Sequence, residues 1–132
     1  MLPKTHAIAG AIFSILLYYI FHLTFFQASL IFLSSFLIDF DHYVWYVIMK
    51  KDFNLKKSYD FFNQDPYEKR IMLLHTVEFL LLVFMFSYIW NIFLFVLYGM
   101  LFHSILDIIE MGPRDELKYR EYSIFHKIFF NS

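Results

Sequence analysis

From Thr5 to Met49, and again from Ile71 to Pro113, the chain carries no lysine or arginine. Each stretch is about twice the ~20 apolar residues that cross a bilayer as one helix, so each predicts a hairpin of two membrane helices. The helices are expected over 5–22, 26–48, 70–89 and 92–111. The first turn falls near His22-Leu23-Thr24 and the second at Trp90-Asn91. Gly112-Pro113 closes the fourth helix, because glycine supplies a cap and proline cannot continue the helix. Residues 1–132 are thus read as one all-α domain, an integral membrane four-helix bundle. A polar loop over 50–69, with room for one short helix, joins the hairpins. In the tail 115–132, Ile124, Phe125, Ile128 and Phe129 have the spacing of a short interfacial helix.

Composition agrees with this frame. Hydrophobic residues make up 60% of the chain and charged ones 17%, too apolar a balance for a soluble domain of 132 residues. All 11 basic residues fall outside the apolar runs. Lys4 precedes the first; Lys50, Lys51, Lys56, Lys57, Lys69 and Arg70 lie between them; Arg114, Lys118, Arg120 and Lys127 follow the second. With four spans these segments share one face, which the positive-inside rule makes cytoplasmic. The expected location is the cell inner membrane with both termini in the cytoplasm. The N-terminus lacks a basic region followed by a small-residue cleavage site, so no cleaved signal peptide is expected. Cysteine is absent, and any metal site must draw on His, Asp and Glu.

Polar groups stand out against this background. Ile38-Asp39-Phe40-Asp41-His42 places two carboxylates and an imidazole inside an apolar run. An ionised Asp at the centre of a membrane helix costs roughly 2.5–3.5 kcal/mol on insertion scales, so something must compensate it. A divalent cation would use all three groups; the alternative is a set of polar side chains satisfied by neighbouring helices. Along antiparallel helices, His6, Asp39, Asp41, His42, His75, Glu78, His103, Asp107 and Glu110 all reach the cytoplasmic half of the bundle. Asp39 with His42, and His75 with Glu78, are three apart and point alike; His103, Asp107 and Glu110 form one stripe. Asp41 is rotated about 100° from His42, which suits a second metal, a partner behind the ligands, or a base. Gly10, one turn from His6, allows close helix approach. His6 could instead be a solvated terminal histidine and Glu110 an interfacial one, and His22 and His126 read as surface residues.

The set Thr5-His6, Asp39-Phe40-Asp41-His42, His75-Thr76 and His103-Ser104-Ile105-Leu106-Asp107 resembles the membrane-bound, metal-dependent hydrolases known as YdjM-like. That family carries an N-terminal His, D-x-D-H, H-R-G-x-T-H-S and H-x-x-x-D in this order. Here Arg70 stands in place of the first His of the third motif, so either Glu78 supplies a missing ligand or one metal position is lost. The resemblance implies a distant kinship to zinc-dependent phospholipase C and a polynuclear site cleaving phosphoesters.

The function expected from these residues is metal-dependent hydrolysis of a phosphoester in a lipid or lipid-linked substrate at the cytoplasmic leaflet. His6, Asp39, His42, His75, His103 and Asp107 are the expected ligands. Zn²⁺ suits them best, with Mn²⁺, Fe²⁺ or Mg²⁺ compatible. Asp41 or Glu78 would accept the proton. Arg70, Lys50 and Lys51, with Lys56 and Lys57 nearby, would draw an anionic headgroup or merely fix topology. The expected partner is membrane lipid, without nucleic acid, in a chain open to forming a homo-oligomer. The rival reading is a non-enzymatic bundle: a metal-binding or transport subunit, or a bis-histidine haem protein.

Overall fold

Capping chemistry and apolar runs together set the helices of this chain. In a computed structural model, which describes residues 3–64, 70–114 and 120–130, α1 spans Pro3–Ile20 and α2 Phe25–Leu37. His22 takes a left-handed conformation (φ 50°) in the turn between them. Thr24 then starts α2 with a capping box: its hydroxyl accepts the Gln27 N–H at 3.2 Å, and its own N–H donates to Gln27 Oε1 at 2.8 Å. Such a cap is worth about 1 kcal/mol and places the turn without glycine or proline.

The second predicted helix, 26–48, is not continuous. It stops at Leu37 and restarts as α3, Phe40–Lys50. At the join the amides of Asp41 and His42 bond to carbonyls three residues back, Ile38 O at 3.4 Å and Asp39 O at 3.1 Å. The break has a tertiary cause, since the Asp41 carboxylate is held by the Leu74 amide and the His75 ring. Beyond it, α3 packs on α4 (Leu55–Gln64), the short helix within the predicted polar loop. Trp45 and Tyr46 meet Phe61 and Phe62 there. Residues 65–69 and 115–119 of the predicted loop and tail lie outside the described residues.

The third predicted helix, 70–89, is also shorter than its apolar run. Arg70–Ile71 form a two-residue strand, β1, parallel to β2 (Arg120–Glu121), with Arg70 opposite Arg120 and Ile71 opposite Glu121. A 3₁₀ turn over Leu73–His75 follows, and α5 runs only from Val77 to Ser87. Thr76 decides this boundary: its hydroxyl accepts the Phe79 N–H at 3.3 Å and donates to Leu73 O at 2.9 Å. A threonine cap ends what the apolar pattern alone would have continued. At 1.5 Å per residue α5 rises about 16 Å, half of a hydrocarbon core of about 30 Å. α6 spans Ile92–Met111 and ends at Gly112, where a 3₁₀ turn takes over; α7 spans Ile124–Phe130. Among the described residues, two helical stretches are long and apolar enough to cross a membrane, Phe25–Lys50 and Ile92–Met111.

α2 lies between α1 and α6, and α5 packs on α6. Two glycines permit the close crossings. A Cβ on Gly10 would lie 2.2 Å from Ser35 Oγ, and one on Gly99 would lie 2.3 Å from the Ile31 carbonyl oxygen. An apolar core of Ile38, Val83, Leu97 and Met100 fills the centre. The polarity of the surface is inverted relative to a water-soluble bundle. His6, Ser35, Thr76 and His103 are among the most completely buried residues, while Ile8, Ile12, Leu16, Leu81, Met85 and Ile105 are exposed.

Candidate metal centre

Four chain segments bring their polar groups to one end of the bundle. α1 contributes His6 from its first turns, and the α2–α3 break contributes Asp39, Asp41 and His42. The 3₁₀ turn contributes His75, and α6 contributes His103 and Asp107 one turn apart. The close α2–α6 crossing at Gly99 lets the His103 ring reach the α2 backbone. Its Nδ1 lies 2.8 Å from Ser35 O. A carbonyl can only accept, so Nδ1 carries a proton and Nε2 is the atom left to face the cluster.

His75 is fixed in the same way. Its Nδ1 lies 3.0 Å from Asp41 Oδ2, which also accepts the Leu74 N–H at 3.0 Å. A carboxylate behind one nitrogen leaves Nε2 as the coordinating atom, the arrangement that orients histidine ligands in metal sites. The two Nε2 atoms then face each other 3.1 Å apart. Unless one of the two rings is protonated, this orientation sets lone pair against lone pair, and the point where they meet could hold a cation.

The neighbouring carboxylates show which cation suits the place. Asp39 Oδ1 lies 3.6 Å from His75 Nε2 and 3.4 Å from His103 Nε2. Asp107 Oδ2 lies 3.7 Å and 3.5 Å from the same two atoms. Bonds of about 2.0–2.2 Å to a tetrahedral divalent ion separate neighbouring ligand atoms by about 3.3–3.6 Å. The observed separations bracket that range. A single proton on one Nε2 would serve one pair of atoms, whereas a divalent ion could draw on several of these donors at once.

Two further histidines extend the cluster. His6 Nε2 lies 3.2 Å from Asp107 Oδ1, and its ring stands 4.5 Å from that of His103. The His6 side chain is 1% exposed; its Nε2 faces the Asp107 carboxylate without forming a hydrogen bond, and its Nδ1 has no hydrogen-bond partner. Buried polar atoms without partners are costly, and metal ligation is one way such atoms are used. His42 Nδ1 lies 3.0 Å from Asp41 Oδ1 and 3.6 Å from Asp39 Oδ1. The donors thus form two triads, each able to hold a metal ion: His6, His103 and Asp107, and Asp39, His42 and His75. They differ in access. The first is buried throughout, while the Asp39 and His42 side chains are 22% and 32% exposed and form the open edge of the centre.

Other residues expected at the site stand elsewhere. Glu78 shares the first turn of α5, but its Oε1 accepts a short hydrogen bond from the Ser123 hydroxyl and one from the Phe125 N–H at 3.3 Å. Ser123 Oγ in turn accepts the His126 N–H at 3.1 Å, so Glu78 fastens the start of α7. Because His75 belongs to a 3₁₀ turn, the helical phase expected to align it with Glu78 does not apply. Glu110 is half-buried outside both triads. Lys50 and Lys51 stand at the far end of α3, about 16 Å along the axis from Asp39 at 1.5 Å per residue. Arg70 enters β1, and its side chain lies outside what is described.

Sequence reasoning missed two backbone participants, the Ser35 carbonyl and the Leu74 amide. Neither leaves a mark in a motif, because any residue type supplies them. Comparison with family models, with curated proteins and with solved structures finds no match to this chain, so the case for the centre stands on its own geometry.

Proposed function

We propose that this protein is a membrane-embedded, metal-dependent hydrolase acting on a phosphoester of a lipid or lipid-linked substrate. The observation that carries the reading is the pair of Nε2 atoms held 3.1 Å apart, each with its opposite nitrogen committed elsewhere, beside two carboxylates. The likeness of the motifs to YdjM-like hydrolases and the apolar exterior of the bundle support it. The basic residues gathered toward the same end of the helices support a cytoplasmic position for the centre.

Zn²⁺ is the ion best suited to a set of imidazoles and carboxylates with neighbouring donors 3.1–3.7 Å apart. His6, His103 and Asp107 would hold it in the buried triad, and Asp39, His42 and His75 in the open one. A bound divalent ion supplies Lewis acidity, drawing the pKa of water toward neutrality and offsetting charge on a phosphoryl group. The protein's own residues do the rest. Asp41 and the Ser35 carbonyl fix the tautomers of His75 and His103. His42, on the open edge, is oriented by Asp41 Oδ1, which stands 3.0 Å from its Nδ1. Glu78, committed to the tail, acts as a fastener in this reading. A haem is disfavoured because nitrogens 3.1 Å apart and ringed by carboxylates leave no room for a porphyrin between them.

Metal analysis of the protein purified in detergent and reconstituted with Zn²⁺ tests the proposal. Wild type should retain divalent metal, His103→Ala and Asp39→Ala should lose it, and Lys56→Ala should keep it. Hydrolysis of phospholipid in mixed micelles should follow metal content. A wild-type protein that binds no divalent ion after reconstitution would end this reading.

A further inference from the structure

The α3–α4 tip carries a feature that the chemistry of the centre does not use. Leu33, Leu37, Phe40, Val44 and Ile48 follow one another at helical spacing along α2 and α3, and all five are exposed. The run passes the open edge of the centre, since Phe40 stands between Asp39 and Asp41. It ends at a turn where Met49, Phe53 and Leu55 are exposed among Lys50, Lys51, Lys56 and Lys57.

The turn is built rather than loose. Lys51 caps α3 in the left-handed conformation (φ 53°), with its N–H on Val47 O at 2.9 Å. The Tyr43 hydroxyl donates to Phe53 O at 2.9 Å, and Asn54 Oδ1 accepts the Lys57 N–H at 3.1 Å to start α4. These bonds hold the Phe53 side chain outward, 77% exposed. Between Ile48 and Lys57 the only acid is Asp52, already paired with Lys57 at 3.0 Å. The Asn54 amide, then Lys57, hold its carboxyl below the usual range, so it stays charged and leaves the tip with a cationic excess.

We propose that this tip is a docking surface for anionic phospholipid headgroups, with Phe53 entering the bilayer and Lys51 and Lys56 meeting the phosphates. An apolar apex ringed by lysines is the composition that interfacial membrane anchors use. The tip is the end of a continuous apolar strip that already runs along the bundle exterior, so lipid is the occupant that completes both. Lys51 therefore engages a headgroup about 18 Å along the axis from Asp39, distinct from any substrate at the centre, while Lys50 Nζ lies over the Phe61 ring, 4.9 Å from its centroid. The open edge at Asp39 and His42 is then held at lipid level, and a lipid substrate reaches it laterally. This proposal rests on the membrane reading above and is tested so that the two can fail separately.

The chain has no cysteine, so single-cysteine spin labels report cleanly. Phe53→Cys and, on the outer face of α1, Ile12→Cys are labelled and placed in nanodiscs of phosphatidylcholine with or without phosphatidylglycerol. Collisions with oxygen against an aqueous nickel chelate locate each label. The expected result is a lipid-exposed label at 12 in both discs, and a label at 53 that shifts into the bilayer when phosphatidylglycerol is present. Lys51→Gln and Lys56→Gln should each lower the ratio of inserted to aqueous label at 53 by about fivefold, from about 1 kcal/mol per lysine near an anionic surface. A label at 53 that stays aqueous in both discs while 12 is lipid-exposed overturns the docking surface and leaves the membrane reading intact. Equal insertion with and without phosphatidylglycerol overturns the headgroup selectivity, and an aqueous label at 12 overturns both readings.

Discussion

Gly99→Ala is the sharpest test of how the fold builds the centre. The added methyl carbon would lie 2.0 Å from Ser34 Oγ, 2.3 Å from Ile31 O and 2.9 Å from Ser35 N. A hydroxyl can rotate away, but two of these atoms are α2 backbone. α6 must therefore draw back from α2 by about 1 Å, because packed interiors have no spare volume. His103 stands one turn along α6, and its Nδ1 contact to Ser35 O, now 2.8 Å, would open to about 3.8 Å, beyond a hydrogen bond. Overpacking costs about 1–3 kcal/mol and the lost hydrogen bond about 1 kcal/mol more. The ring would also lose the group that fixes its tautomer, which in metal sites costs about 10–100-fold in affinity. Gly10→Ala is the matched control. Its Cβ would meet side chains alone, Ser35 Oγ at 2.2 Å, Ser35 Cβ at 3.3 Å and Phe32 Cδ2 at 3.9 Å, and the Ser35 hydroxyl can turn away from its bond to Phe32 O. Chelator competition for Zn²⁺ and thermal unfolding in detergent measure both effects. Wild-type affinity and melting in Gly99→Ala would refute the argument that the α2–α6 approach sets His103.

Asp41→Asn keeps the shape of the side chain but removes the charge behind His75, and should weaken metal binding about 10–100-fold while leaving the helices inserted, as chelator competition and circular dichroism can show. Glu78→Ala should release the tail, raising hydrogen exchange over 120–130 at a cost of about 1–3 kcal/mol, with metal content close to wild type; loss of metal with an unchanged tail would assign Glu78 to the centre instead. Metal removal should lower thermal stability, by about 2.7 kcal/mol relative to protein with free ion at a hundred times Kd, and an unchanged melting curve in chelator would speak against a bound ion.

The meeting of His6, Asp39, His42, His75, His103 and Asp107 was legible because helix arithmetic alone fixes depth. A residue near the start of an outgoing helix and one near the end of a returning helix share a level, whatever the packing between them. The turn near His22–Thr24 followed from span length, with its Thr24 cap unread, and the stop at Gly112 fell where expected although Gly112 stays right-handed and leads into a 3₁₀ turn rather than a left-handed cap. What else escaped was non-local. The pairing of Arg70 with Arg120, and the bond from Ser123 to Glu78, join residues far apart in the chain through strands of two residues and a single carboxylate. No periodic pattern announces such contacts. They shorten the third helix by recruiting its first residues to another structure.

The break at Ile38–Asp39 is the most consequential of these departures, because the centre depends on it. In a continuous helix Asp39 and Asp41 would diverge by about 200°, and one imidazole could not lie between them. In the protein they address opposite edges of the same ring: Asp41 Oδ2 stands 3.0 Å from His75 Nδ1, and Asp39 Oδ1 stands 3.6 Å from His75 Nε2. Interrupting the ladder costs of order 1 kcal/mol for each weakened backbone bond, which the bonds from Leu74 N–H and His75 to Asp41 offset. A helix-period reading of D-x-D-H assigns Asp41 to another face and leaves its role open. Once the helix is broken, the same three residues divide the work: Asp39 and His42 face the open edge, and Asp41 holds the histidine that joins the two triads.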